Sequence, residues 1–348
     1  MKKSFFVLGV AVAALTSCTN EEVVDMPQSR AIQFGTFVNH STRSNVTETT
    51  EQTLKKFFVF GNYGEDTWTP VYTNVEVTGG TVGEQGQVWT PTQTAYWQKG
   101  KKYRFAAYSD GGNQNNNVSF KANDQQLVFN SYTVDNTKDL IVAIPVDVTA
   151  KASDNDPVNL SFYHMLSQVK FTFENKDSHD YIMEISDIKV NAVKTTKGTA
   201  TYNSTGSGAP TIDWDTESAL KKEDYDFGTL NDIAEKVGDG AHSTTCFVIP
   251  QSNENLEVTF TATFSDKAGN EIAENEFIGK LAYSGTTEGT KQNEWTPGFK
   301  YNYTVEINGS TVQPDLGKQV IKFKVVDVDE WTGADETQVT PQDKTAGE

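Results

Sequence analysis

Cysteine is nearly missing from this chain: Cys18 and Cys246 are the only two in 348 residues. A disulfide framework is thereby excluded. Cys246 lies in the apolar run Cys246-Phe247-Val248-Ile249 and reads as a buried small hydrophobe, not a nucleophile. Histidine is also rare. His40, His164, His179 and His242 stand apart from one another and from the cysteines, so no metal-ligand spacing arises and no metal or cofactor is expected. Asp154-Asn155-Asp156 opens like a calcium loop but lacks the glycine and glutamate that complete one. There is no Gly-x-Ser-x-Gly elbow and no phosphate-cradling Gly-rich loop. Carboxylates are plentiful, yet nothing marks two of them as an acid–base pair, so the reading is not an enzyme. Positive charge is short as well, with 29 Lys+Arg against 47 Asp+Glu and a formal charge of −18. Such a surface repels phosphate backbones, which argues against nucleic acid as a partner. Arginine is scarcest, with Arg30, Arg43 and Arg104 alone.

The N-terminus carries the strongest positive signal. Lys2 and Lys3 precede the apolar run Phe5–Leu15, which is too short for a membrane-spanning helix of about 20 residues. Leu15-Thr16-Ser17-Cys18 follows as a lipobox-type ending. Residues 1–17 therefore read as a signal peptide cut between Ser17 and Cys18, leaving Cys18 as the lipidated first residue of an outer-membrane lipoprotein. Acyl chains at that position gain about 0.8 kcal/mol per buried CH₂, so several together anchor stably. Glu21 and Glu22 resemble an acidic tag for surface export. Residues 31–38 then alternate at period two, with Ile32, Phe34 and Val38 on one side, and read as a strand. Arg30 and Arg43 bracket it. Their placement suggests proteolytic processing, with solvated loop arginines as the plain alternative.

Beyond residue 50 the apolar segments repeat at period two and stop at Gly, Asn, Asp or Pro. Val71, Thr73, Val75 and Val77 alternate, as do Leu256–Phe264 and Tyr301–Ile307. Leu140–Ile144 is continuously apolar, as in a strand buried on both faces. The chain is predicted to be all-β, with one short helix at most, where Leu230, Ile233, Ala234 and Val237 have helical spacing. A polar cluster at Thr149–Pro157 suggests a boundary between β-sandwiches over 44–156 and 157–331, preceded by a segment 18–43 and followed by a polar tail 332–348. His164 reads as a hydrogen-bonded core histidine. The six tryptophans read mainly as packing residues, with a sugar-stacking platform as the alternative.

Several stretches together resemble the fimbrillin family, subunits of type V pili in Bacteroides-like bacteria. They are residues 15–43, Tyr96-Trp97 with Lys102–Tyr108, Asp139–Ala143, Val158–Phe171, Trp295–Gly298 with Tyr301–Val305, and Asp329–Thr332. The resemblance spans essentially the whole chain. It implies two transthyretin-like or immunoglobulin-like sandwiches in tandem, and export as a lipoprotein that an Arg-specific surface protease then cuts. It also implies polymerisation with other pilin subunits by donor-strand exchange, for adhesion to a host or bacterial receptor. Carried over, Cys18 is the lipid site and Arg43–Ser44 the maturation bond, with Arg30–Ala31 as the alternative. Removal of Ile32, Phe34 and Val38 as an edge strand would open an apolar groove. The candidate donor is residues 320–331, carrying Ile321, Phe323, Val325, Val326 and Val328, where a phase slip at Val326 suggests a β-bulge. The polar tail favours a tip or accessory subunit over a stalk subunit. A surface glycan-binding outer-membrane lipoprotein is the alternative function.

Overall fold

The computed structural model describes residues 31–38, 53–79, 88–150, 156–204, 209–218, 221–234, 240–283, 285, 287–308, 312 and 318–330. Every regular element among them is a strand. The earlier strands are β1 (Phe34–Val38), β2 (Lys56–Gly64), β3 (Trp68–Gly79), β4 (Trp89–Pro91), β5 (Lys102–Asp110), β6 (Val118–Lys121), β7 (Gln126–Thr133), β8 (Leu140–Ala143), β9 (Val148–Thr149) and β10 (Val158–His164). The later ones are β11 (Ser167–Asn175), β12 (Ile182–Val193), β13 (Thr195–Thr201), β14 (Thr211–Trp214), β15 (Lys222–Asp226), β16 (Leu230–Ile233) and β17 (Ala241–His242). They continue with β18 (Cys246–Val248), β19 (Glu257–Ser265), β20 (Glu271–Lys280), β21 (Phe299–Ile307), β22 (Gln319–Ile321) and β23 (Lys324–Glu330).

The first sheet runs β2-β3-β4-β1-β10-β8-β5-β9, and β2 also pairs with β5, so seven of its strands close into a ring. Alternation explains why it closes over a core. Phe57 and Val59, Tyr103, Phe105 and Ala107, Ile141 and Ala143, and Leu160 and Phe162 all point to one buried cluster inside. Their neighbours Phe58 and Phe60, Ala106 and Tyr108, and Leu140 and Val142 join a second cluster outside. The ring's wall at β2, β5 and β8 is thus buried on both faces, as the continuous apolar run at Leu140–Ile144 anticipates.

The second cluster lies between a five-stranded sheet, β17-β11-β21-β23 with β18 on β11, and a six-stranded one, β15-β12-β19-β20-β22 with β16 on β12. The two pack face to face: Phe173 of β11 meets Phe260 of β19 edge-on, 5.0 Å between ring centroids. Strands β19 and β21 hold the predicted alternation, with Val258, Phe260, Ala262 and Phe264, and Tyr301, Tyr303, Val305 and Ile307, all buried. A fourth sheet, β14-β13-β7-β6, draws strands from both halves of the chain.

Four expectations meet a different arrangement. The polar cluster at Thr149–Pro157 does not end the first sheet, because β10 follows it and pairs with β1 and β8. The two halves are also stitched together, since β13 pairs with β7. The helix expected around Leu230–Val237 is replaced at 230–233 by β16, which pairs with Met183 and Ile185 of β12. One turn of helical spacing is too short to nucleate a helix against an available strand edge. In β3 the register shifts and Asn74 sits at φ 54°, so Tyr72 and Val77 turn inward in place of a regular Val71-Thr73-Val75-Val77 face.

Candidate functional site

Strand β1 is not an edge strand as expected; it is seated between two others. Along one side it pairs parallel with β10 over five residues, Phe34↔Val158 through Val38↔Phe162. On its other side Phe34 pairs with Trp89 of β4. The residues just before it are held on both flanks as well: Ile32 donates its N–H to the Ala95 carbonyl at 2.8 Å, and Val158 donates to the Gln33 carbonyl at 2.8 Å. Ile32 and Phe34 are completely buried in the ring's interior. The Phe34 ring lies edge-on to Phe57 at 6.1 Å and to Phe105 at 5.5 Å, and tilted against Tyr72 at 6.2 Å. Burying two such side chains contributes about 3–6 kcal/mol at about 1.5–3 kcal/mol each. Gly35 leaves room for the Asn159 side chain of β10, whose Oδ1 would lie 2.9 Å from a Cβ there.

The other candidate element, residues 320–331, divides between two sheets. β22 pairs parallel with β20 through Phe277↔Gln319 to Gly279↔Ile321, while β23 pairs antiparallel with β21. Both are terminal strands of their sheets. Asn302 faces Asp327 and Tyr303 faces Val325, so Val326 is the extra residue of a bulge, as the phase slip predicts. Phe323, between the two strands, packs against Phe171, Phe260 and Tyr303 at ring distances of 5.7, 6.4 and 6.2 Å. Its ring also rests on Gly279, where a Cβ would meet it at 2.1 Å. Ile321 is partly buried and Val328 buried, whereas Val320 is 79% exposed.

The remaining singled-out residues resolve mostly as packing. Cys246 is buried, receives a hydrogen bond from Asn136 Nδ2 at 3.4 Å, and has its thiol pushed up to about 11 by burial. That is an inert thiol. His164 is buried with Nδ1 2.9 Å from Asp139 Oδ2. Trp89 and Trp295 are buried, and Trp97 packs edge-on to Tyr103. Arg104 is held by a set of hydrogen bonds within the fold. Nε and Nη2 donate to Asp147 at 2.9 and 3.3 Å, and Nη1 donates to the Ala122 and Asn123 carbonyls at 2.7 and 3.0 Å. Burial works against the Asp147 charge, but Arg104 and Lys102 outweigh it and hold the carboxyl below its ordinary range. Among the described residues no cluster of His, Cys, Asp or Glu suits a metal ion.

Ser17, Cys18, Arg30, Arg43, Ser44, Trp331 and the tail 332–348 lie outside the described residues, and of Val38, Val325 and Val326 only the backbone is described. Sequence reasoning missed the partners of β1, namely β10 and Trp89. Phe162 of β10 does stand in an apolar alternation, but no local pattern announces a parallel pairing between residues 124 positions apart, as Phe34 with Val158 shows.

A family model described as fimbrillin-like matches residues 42–331. No curated protein matches the chain. Among solved structures, a candidate cell adhesion protein of Bacteroides ovatus is similar over 88% of this chain and 99% of its own, with 12% identity and a TM-score of 0.50. A candidate cell adhesion protein of Bacteroides uniformis shares 17% identity over 88% and 99% of the two chains, with a TM-score of 0.46. The fimbrial anchor protein Mfa2 of Porphyromonas gingivalis is 12% identical over 79% and 90%, with a TM-score of 0.34. On the match across residues 42–331, this chain belongs to the fimbrillin-like family.

Proposed function

We propose that the protein is a fimbrial subunit, carried to the cell surface as an outer-membrane lipoprotein on Cys18 and built into a fibre with other pilin subunits. An Arg-specific surface protease cuts between Arg43 and Ser44, removing residues 18–43 and with them β1. Its role is mechanical, not catalytic. The observation that carries this reading is the seat of β1, between β4 and β10 in an otherwise continuous ring. Withdrawing it leaves unpaired backbone groups on both flanks and an apolar slot lined by Phe57, Tyr72 and Phe105, a template for another chain's strand. A cut at Arg30–Ala31 would instead release the anchor and leave the slot filled.

The donor is residues 320–331 of a neighbouring subunit in the stalk version of this scheme. In this chain that segment is tied into two sheets, with Phe323 in the core. Freeing it costs the same kind of burial that filling the slot returns. The balance favours a tip or accessory subunit, which receives a strand without giving one. N-terminal sequencing of fibres sheared from the cell surface tests the maturation step. A mature chain starting at Ser44 agrees with it; one starting at Ala31 overturns it.

A further inference from the structure

Beyond the ring's covered wall, the sheet face that carries Phe60 and Ala106 continues into Asn62 and Arg104, then Gly64 and Lys102, by the pairing of β2 with β5. There the apolar cover gives way to an open cleft of about 630 Å³ between the β2–β3 turn and the β6–β7 turn. That size falls within the range of small-molecule sites, about 300–1,000 Å³. One wall is Asn62, Asp66, Thr67 and Trp68; the other is Phe120, Lys121, Ala122, Asn123 and Asp124. The β2–β3 turn is tight, since a Cβ on Gly64 would lie 2.0 Å from the Thr67 carbonyl oxygen, and this fixes where the indole begins β3.

Arg104 joins the two walls. Its guanidinium lies 4.4 Å over the Trp68 ring, while Nη1 grips the Ala122 and Asn123 carbonyls of the opposite turn. Asp147 completes its hydrogen bonding. The guanidinium is therefore engaged by protein oxygens and by the ring, and it serves to hold the indole and the turn in fixed relation. Trp68 is only partly buried and lines the cleft together with Asn62, Asp66, Lys121, Asn123 and Asp124. An aromatic surface bordered by amide and carboxylate groups and one ammonium matches a molecule with an apolar C–H face and a rim of hydroxyls. We infer that this cleft binds a neutral saccharide, one sugar ring stacked on the Trp68 face opposite Arg104 and its hydroxyls bonded to the two turns. Asp66 and Asp124 outnumber Lys121, the one cation of the lining, and so disfavour an anionic sugar.

Saturation-transfer NMR on the full chain tests this, with the methyl glycosides of galactose, glucose, mannose and N-acetylglucosamine at millimolar concentration and galactose 6-sulfate as the anionic counterpart. Transfer to the ring C–H protons of at least one neutral glycoside is expected. It should fall about tenfold in Trp68→Ala, stay near the wild-type level in Trp68→Tyr, and be unchanged in Tyr96→Ala, which removes an exposed aromatic elsewhere. Near-ultraviolet circular dichroism checks that Trp68→Ala is folded. Should that variant not fold, Asp124→Ala decides, because this exposed turn residue is expected to weaken binding several-fold without affecting the core. The inference is overturned by no transfer to any neutral glycoside, by stronger transfer to the sulfated sugar, or by binding that survives these substitutions.

Discussion

Phe34→Ala offers a direct measure of what β1 contributes. The ring is fully buried and meets Phe57, Tyr72 and Phe105, so truncation removes its burial and leaves a hole in a closed interior. Such a change costs about 3–5 kcal/mol. Melting temperature shifts by about 2–4 °C per kcal/mol in a domain of 150–250 residues, which gives a drop of about 6–20 °C for the uncut chain. The informative comparison is with the same variant after cleavage at Arg43. If β1 leaves with residues 18–43, the substituted residue is gone and the trimmed variant must melt where the trimmed wild type melts. Differential scanning calorimetry on both pairs reads this out. A variant that still melts below wild type after trimming would show that Phe34 stays in its seat, and would refute the slot. An uncut variant melting with the wild type would refute the burial argument itself.

Cys18→Ala is expected to leave unlipidated precursor and no fibres; retention of a radioactive fatty acid by the substituted protein would count against Cys18 as the lipid site. Arg43→Ala should block maturation while Arg30→Ala stays near neutral, read by the mass of the cell-surface protein. A peptide spanning residues 319–331 should raise the melting temperature of the trimmed chain if this segment donates. The same peptide with Phe323→Asp and Val325→Asp should not, because burying each carboxylate costs several kcal/mol. Asp110 provides a pH test: burial raises its carboxyl to about 6, against the Tyr132 hydrogen bond, from an ordinary 3.8. The folded chain thus holds a proton that the unfolded chain has lost, and stability falls as pH rises from about 4 through 6, by at most about 3 kcal/mol. Denaturant titrations of Asp110→Asn should show that slope flattened, and an unchanged slope would clear Asp110 of the effect.

Period-two alternation was enough to determine the all-β class and most inward faces, because each strand carries its own burial pattern in its side chains. Val258–Phe264 and Tyr301–Ile307 needed no other information, and the bulge at Val326 was legible as a slip in phase. The strand Phe34–Val38 within the alternating stretch 31–38 is a local signal of the same kind. Pairing partners are not local. The parallel seat of β1 on β10, the closure of β5 onto β2 and the joining of β7 to β13 depend on which edges remain open once other strands have paired, and only the tertiary structure decided them. That is why the polar stretch at Thr149–Pro157 looked like a domain end while the first ring still needed β10 to hold β1. It is also why Leu230 and Ile233 yielded helical spacing to a strand edge on β12. The sequence showed Trp68 only as one of six tryptophans and Arg104 only as one of three arginines; folding alone set a guanidinium over an indole at the mouth of a cleft.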